Sequence, residues 1–419
     1  MSIRKLLPAT LFLLLTLQTL LAQNTNSTYS RYGFGNLETP AMGKTRAMGG
    51  IGYGIHERGL INMQNPASFA DVDTMNMLFD FGLSSQFSAF KETIDGSTTR
   101  QYNPNAYLDY VGMKFALKPN WGMALGLVPF SKVGYNFSQD ITRTNTPVGD
   151  LEYTTTYTGA GGLNTFFLGT GAYLTKGLSV GVNLKYTFGL LSNTTSTNYT
   201  TSGINNEMNL EYMFIKAPSL DLGVQYDLRL NKNSFLTLGA SASTSLLVDG
   251  EFYNVNIASD TLDNSENPDR FKKFQLPTTI GAGISYNWDN RLTVGLDYQN
   301  QRFSQTTFMG VKDSLRDNNR IALGVEYLPS TIAEHYYQAI RYRGGFQFND
   351  MYLKQPGHLQ SASLSLGVGL PLRGQRSMLN FSFEAGRLFT PNASFISESF
   401  YKFSIDVSFN ELWFFKMKL

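Results

Sequence analysis

The chain has 419 residues, of which only 16% are charged, while its 39 glycines, 23 tyrosines and 31 phenylalanines suit a lipid-facing sheet better than a soluble core. The formal charge of +2 falls to zero if Arg4 and Lys5 leave with a leader (34 − 2 = 32 basic against 32 acidic side chains), so no field exists to attract nucleic acid. The absence of cysteine excludes thiolate metal sites, thiol catalysis, disulfides and a lipid-modified N-terminal cysteine.

At the N-terminus, Arg4 and Lys5 precede a leucine-rich run from Leu6 to Leu21, and Ala22 precedes polar Gln23-Asn24-Thr25. This pattern predicts a cleaved signal peptide over residues 1–22. Pro8, Thr10, Thr16, Gln18 and Thr19 interrupt the run, which argues against an anchor helix of about 20 apolar residues. No later segment is apolar for long enough to span a membrane as a helix, so the mature chain is either a periplasmic protein or a barrel.

Residues 23–70 show no two-residue period and carry Gly33, Gly35, Gly43, Gly49, Gly50, Gly52, Gly54 and Gly59. They read as a compact irregular segment, a hatch or plug placed before the first strand. From about residue 75 apolar residues fall on alternate positions, which puts one set of side chains on each face of a strand. Leu178, Val180, Val182, Leu184, Tyr186 and Phe188 share one face, as do Ile280, Ala282, Ile284, Tyr286 and Trp288. In the last segment Tyr401, Phe403, Ile405, Val407 and Phe409 alternate with Lys402, Ser404, Asp406, Ser408 and Asn410, and the phase continues to Leu419.

Short turns such as Lys118-Pro119-Asn120, Thr175-Lys176-Gly177 and Asp289-Asn290-Arg291 join some strands, while polar stretches near 139–158, 191–207 and 249–275 read as long loops. Strand starts fall near residues 75, 105, 121, 163, 178, 217, 234, 278, 292, 319, 338, 360, 378 and 400, which makes 14. The expected fold is an all-β, transmembrane antiparallel barrel over residues 71–419. A periplasmic β-sandwich would carry charge on its outward face, and here one face is almost purely apolar. A lumen that wide exceeds what wall side chains fill, so an N-terminal plug is physically useful.

Pro129 interrupts the third strand after Trp121, Met123, Leu125 and Leu127; a proline removes a ladder hydrogen bond, so it predicts either a break in the wall or a strand that ends near Val128. Alternation places Asp297, Gln299, Glu326, Arg341 and Arg343 on inward faces, where a salt-bridge network propping the lumen is favoured over a relay for a ligand's head group. Glu384 and Lys402 form a second candidate pair.

His56, His335 and His358 lack metal-site spacing, so no metal or cofactor is expected. There is no Gly-x-Ser-x-Gly elbow, and Gly43-Lys44-Thr45 lacks the upstream glycine of a phosphate loop, because Glu38 stands in its place. Nothing argues for an enzyme.

Arg46-Ala47-Met48-Gly49-Gly50 followed by Asn65-Pro66-Ala67, then Gly161-Gly162-Leu163-Asn164, Leu276-Pro277 and Gly295-Leu296-Asp297-Tyr298, resemble in this order the FadL-type hydrophobic-compound transporters of Gram-negative outer membranes. The resemblance implies a 14-stranded barrel with an N-terminal hatch, in which Gly49, Gly50, Asn65, Pro66 and Ala67 lie on the substrate path and Pro129 marks a kink that opens the wall sideways. It also implies passive uptake of a hydrophobic or amphipathic, fatty-acid-like ligand. The alternative is a FadL-like barrel serving as an accessory or shuttle component of a protein-secretion or surface-attachment system. Outer-membrane lipids and the barrel-insertion machinery are the other expected partners, although Leu419 stands where the family commonly ends in Phe.

Overall fold

The computed structural model describes residues 27–94, 97–146, 149–200, 203–258, 261–263, 271–312, 314–354, 357–372, 377–391 and 395–412. The expected leader and the final residues Trp413–Leu419 lie outside the described residues. Fourteen strands form the wall: β1 (Asn76–Ile94), β2 (Ser97–Lys118), β3 (Trp121–Thr146), β4 (Gly149–Thr175), β5 (Leu178–Tyr199), β6 (Glu207–Arg229), β7 (Ser234–Ser245), β8 (Thr278–Trp288), β9 (Leu292–Arg302), β10 (Asn318–Tyr327), β11 (Arg341–Asp350), β12 (Gln360–Pro371), β13 (Met378–Phe389) and β14 (Ser397–Leu412). Each pairs antiparallel with its chain neighbour, and β14 pairs with β1 from Ser397↔Lys91 to Leu412↔Asn76, which closes the barrel.

The two-residue period decides which side chains meet lipid. Leu184, Leu222, Leu364 and Leu366 point outward, at 59%, 57%, 63% and 65% exposure. Their neighbours in sequence, such as Asn183, Asp221, Ser363 and Ser365, are buried. An apolar exterior around a polar interior is what a strand needs when one face meets hydrocarbon and the other does not. No helix among the described residues is long and apolar enough to cross a membrane.

The polar stretches read as loops are mostly strand. β3 and β4 run for 26 and 27 residues and β5 and β6 for 22 and 23, whereas β7 to β13 have 10 to 12 each. Residues 139–146 and 149–158 continue the β3–β4 ladder, with Ser138 opposite Thr156 and Asp140 opposite Thr154. These residues are rich in β-branched threonine, which favours extended backbone whether or not lipid is near. The segment near 249–275 holds a ribbon, with residues 248–258 paired to β6 and residues 271–274 folded back upon them.

Residues 27–75 contain no barrel strand. They form 3₁₀ turns at Thr28–Arg31, Gly43–Met48 and Pro66–Ala70, and most of their side chains between 41 and 70 are buried. The Gly43–Met48 turn contacts β10 to β14 and β1, and the Pro66–Ala70 turn contacts β3 to β6, so this stretch touches the inner wall on opposite sides.

Candidate functional site

The inner wall carries a belt of glycines. Gly122, Gly171, Gly181 and Gly223 are successive cross-strand neighbours on β3 to β6, Gly239 faces Gly283 on β7 and β8, and Gly295, Gly324 and Gly345 follow on β9 to β11. A Cβ on Gly181 would collide with the Pro66 backbone, and one on Gly223 would lie 2.7 Å from Pro66 Cδ. On the other side, a Cβ on Gly345 would collide with the backbone of Met48 and Gly49. The belt lets the N-terminal segment's backbone rest directly on the wall, because glycine alone leaves that space.

The two motifs of this segment lie against the belt. Asn65 is fully buried; its Nδ2 donates to the carbonyls of Tyr53 at 3.0 Å and Val224 at 3.1 Å, while its Oδ1 accepts from Ala67 N–H and caps the turn that begins at Pro66. Gly49 and Gly50 are left-handed, with φ of 66° and 73°. Gly49 N–H donates to Ser365 Oγ at 3.0 Å, and the Gly49 carbonyl accepts from Arg320 at 2.7 Å. Lys114, fully buried on β2, donates to the carbonyls of Leu60, Ser68 and Glu57.

Three of the four residues expected in one lumen network do meet. Glu326 accepts from Arg343 Nε at 2.6 Å and Arg341 at 3.0 Å. Its third partner is Lys44 of the N-terminal segment at 3.1 Å, which also pairs with Glu57. Asp297 stands apart, where Oδ2 accepts from Gly52 N–H at 2.5 Å and Tyr53 N–H at 2.9 Å. Alternation alone cannot separate these sites, since both acids point inward; the register does, placing Asp297 opposite Ala322 and Glu326 opposite Thr293. Glu384 and Lys402 are cross-strand partners but do not pair: Glu384 accepts from Gln347 and Ser363, and Lys402 turns to Glu38 and Asp109.

A second ionic cluster was not anticipated. Asp109 pairs with Arg46, with Lys132 at 3.7 Å and with Lys402 at 3.8 Å, while Glu38 pairs with Lys132 at 3.3 Å and Lys402 at 3.4 Å. A bulge aims Asp109 inward. The β1–β2 register shifts at Gly82/Leu83, leaving Asp109 unpaired so that it and Tyr110 both face the lumen. Burial would raise the Glu38 carboxyl, but Lys132 and Lys402 outweigh it and hold the group below its ordinary range. The available signal in the sequence was the charge itself, since Asp109, Lys132 and Lys402 within lipid-spanning strands must turn inward.

β3 runs on past Pro129, but its ladder to β2 stops two residues short of it. The β2–β3 ladder runs only from Lys118↔Trp121 to Val111↔Leu127, although β3 continues to Thr146 paired with β4. The β3–β4 register shifts between Pro129 and Ser131, which inserts Phe130 and switches the inward phase from Val128 to Ser131, Val133 and Tyr135. The Gly161-Gly162-Leu163-Asn164 stretch lies directly opposite this bulge.

On the edge of β3 that β2 leaves, residues 36–38, with Ser27, take its place. Asn36 and Leu37 pair antiparallel with Lys132 and Ser131, Glu38 N–H donates to the Phe130 carbonyl at 3.0 Å, and Ser27 N–H donates to the Gly134 carbonyl at 3.2 Å. Phe34, fully buried, packs on Phe308, Phe303 and Phe130 with ring centroids at 4.8, 6.2 and 6.5 Å. A cavity of about 280 Å³ adjoins the break. Leu37, Val128, Pro129, Phe130 and Leu276 give it an apolar wall beside the break, and Ser, Thr, Asn, Gln and charged side chains interleave with further apolar ones over the rest.

Among the described residues, no three His, Asp or Glu side chains group as a metal site. His56, buried, pairs with Asp227 at 2.8 Å and stacks on Tyr173, which ties the N-terminal segment to β6 and β4. His335 stacks on Tyr337, and His358 lies 3.5 Å from Asp350.

A closed antiparallel wall of 14 strands, apolar outside and ionic within, defines an outer-membrane type of β-barrel with the FadL-like fold. It is similar to the Pseudomonas putida toluene transporter TodX (TM-score 0.57, 14% identity, covering 90% of this chain and 99% of that one). Further similar structures are a Pseudomonas aeruginosa FadL homologue (0.57, 11%, 90% and 99%) and the Ralstonia pickettii toluene transporter TbuX (0.54, 14%, 88% and 98%). These neighbours are transport proteins and a FadL homologue, not enzymes, and at such identities the likeness is one of fold. No curated protein matches the chain in sequence. The BamG family model matches residues 2–419, and the chain belongs to the BamG family. The FadL resemblance read from the sequence therefore holds for the fold, while the family is BamG.

Proposed function

We propose that this chain resides in the outer membrane, reached by way of a cleaved leader, and works there as a component of a protein assembly or secretion apparatus, with the FadL-like barrel as a closed scaffold. The observation that carries this reading is the closure of the wall break: Asn36 and Leu37 pair with β3, Glu38 and Ser27 bond to it on either side, and Phe34 fills the aromatic pocket of Phe130, Phe303 and Phe308. The cavity beside the break is ringed by ionic and amide side chains such as Glu38, Arg46, Asp221 and Gln299, which suit a fixed polar interior as well as an amphipathic guest. The family name BamG adds support by pointing to the outer-membrane assembly machinery. Purification of the tagged protein from its native membrane in mild detergent tests the reading. A stoichiometric outer-membrane protein partner is the expected result, and a monomer loaded with acyl chain or hydrocarbon would overturn it.

A second reading, uptake of an amphipathic small molecule, is favoured by the apolar corner of the cavity, which touches the break at Val128, Pro129 and Phe130. In that reading residues 23–70 are the hatch; Gly49, Gly50, Asn65, Pro66 and Ala67 seat it on the wall, and the network of Glu326, Arg341, Arg343 and Lys44, with Asp297 apart, holds it closed. Flux of a labelled fatty acid into proteoliposomes that rises when residues 40–67 are deleted would support it.

A further inference from the structure

The missing stretch of the β2–β3 ladder creates something a closed barrel otherwise lacks, a strand edge within the wall. On the β2 side that edge is blunted: Pro104 has no N–H to offer, and the bulge at Asp109 breaks the spacing. On the β3 side, from the bulge at Phe130 onward, the edge already binds a short extended stretch of the chain's own, residues 36–38, with Ser27 N–H reaching Gly134 beyond the Thr28–Arg31 turn.

We propose that the β3 edge beside the wall break is a strand-addition site for a short extended polypeptide segment, filled in cis by residues 34–38 and open to the corresponding segment of a protein partner when these leave. Main-chain hydrogen bonds supply affinity in such sites and a side-chain pocket supplies selectivity. Both are present. The bonds from Glu38 N–H to Phe130 and from Ser27 N–H to Gly134, with the Asn36–Lys132 and Leu37–Ser131 pairs between them, constitute the main-chain part. The pocket is the aromatic box of Phe130, Phe303 and Phe308 that receives Phe34.

The occupant's chemistry follows from how the cis segment fits. Gly35 has φ of 89°, and a Cβ there would lie 2.7 Å from the Lys132 carbonyl oxygen, so the residue after the aromatic anchor must be glycine. The segment recognised is therefore aromatic, glycine, polar, apolar, as in Phe34-Gly35-Asn36-Leu37. If the leader is removed after Ala22, the docked stretch lies close to a chain end and can exchange without threading. The site follows from the ladder and holds whether the barrel serves a protein partner or conducts a small molecule.

The full chain contains no cysteine, so introduced thiols report cleanly. The probe is a synthetic peptide with the sequence of residues 27–38 bearing Leu37→Cys, presented to detergent-purified barrel bearing Ser131→Cys. Antiparallel neighbours sit about 4.5 to 5.5 Å apart at Cα, within disulfide reach. With Phe34→Ala added to loosen the cis arm, disulfide capture of the peptide is expected to rise at least tenfold over the barrel with Phe34 intact. A peptide that also carries Gly35→Val is expected to be captured no better than a scrambled one. In the chain carrying both Leu37→Cys and Ser131→Cys, the arm is clamped and capture is abolished. The unloosened barrel, the clamped chain and heat-modifiable gel mobility together separate loss of the site from loss of the fold. Three results would overturn the assignment: no capture by a folded, loosened barrel; equal capture by the clamped chain; or capture through Leu108→Cys on β2 in preference to Ser131→Cys.

Discussion

Asp109 on β2 and Lys132 on β3 stand 3.7 Å apart across the part of the wall where these two strands share no ladder bonds. Lys132 Nζ also lies 3.1 Å from the ring centroid of Tyr107, so side chains bridge the break that main chains leave open. Asp109 anchors the cluster by facing Arg46, Lys132 and Lys402 together. Asp109→Ala leaves three inward-facing cations, Lys402 buried and Arg46 and Lys132 half-buried, with less than their compensating charge and is expected to destabilise the folded barrel by about 3 to 5 kcal/mol. Urea unfolding in detergent, followed by gel mobility, measures it.

The glycine belt makes a steric prediction. Gly181→Val places two methyl groups where the Pro66 backbone lies, so the N-terminal segment cannot seat while the wall, whose lipid face is unchanged, still closes. A cost of about 1 to 3 kcal/mol, the usual range for overpacking, is expected to fall on the docking of this segment. Limited trypsin digestion should then cut after Arg46 and Arg58, sites that the parent protein protects or holds in ion pairs.

Glu326 meets three cations and is 3% exposed. Glu326→Gln keeps the shape and removes the charge, so Lys44, Arg341 and Arg343 lose their shared counter-ion. A loss of about 3 kcal/mol in barrel stability is expected. If the further change Lys44→Met restores part of it, the cost is electrostatic rather than steric, and a double-mutant cycle by urea unfolding decides.

The Glu38 carboxyl is held below its ordinary value of 4.5 by Lys132 and Lys402, despite the opposing effect of burial. A depressed carboxylate stabilises the folded state fully above its unfolded value and ceases to do so as pH falls through its folded value. The contribution of Glu38 to docking of the arm at residues 27–38 should therefore be complete at neutral pH and be lost below about pH 4.5. Hydrogen exchange of this arm, corrected for intrinsic rates, should show that step, and Glu38→Gln should flatten it.

The wall was legible from side-chain alternation alone, because lipid enforces it. Leu184, Tyr186 and Phe188 had to share a face, and each of the 14 expected starts corresponds to a strand. Starts near 105, 163 and 217 came late, at 97, 149 and 207 in the structure, because Thr154, Thr156 and Asn209 lie on strand extensions whose sequence carries no lipid imprint. Pro129 was readable because proline has a fixed meaning in a ladder. Lys44 and Arg46 were not, since an irregular segment has no period to say where a side chain points. The glycine belt was visible only as scattered residues until the registers of Gly171, Gly181 and Gly223 aligned them.

If Phe34 and residues 36–38 seal the wall break, the resting barrel is a scaffold and not a conduit. Flux of labelled toluene and oleate into proteoliposomes tests it most directly, with the parent chain compared to the chain clamped by Leu37→Cys and Ser131→Cys. Equal, background-level flux in both is predicted. Rapid flux through the parent chain that the clamp abolishes would contradict it.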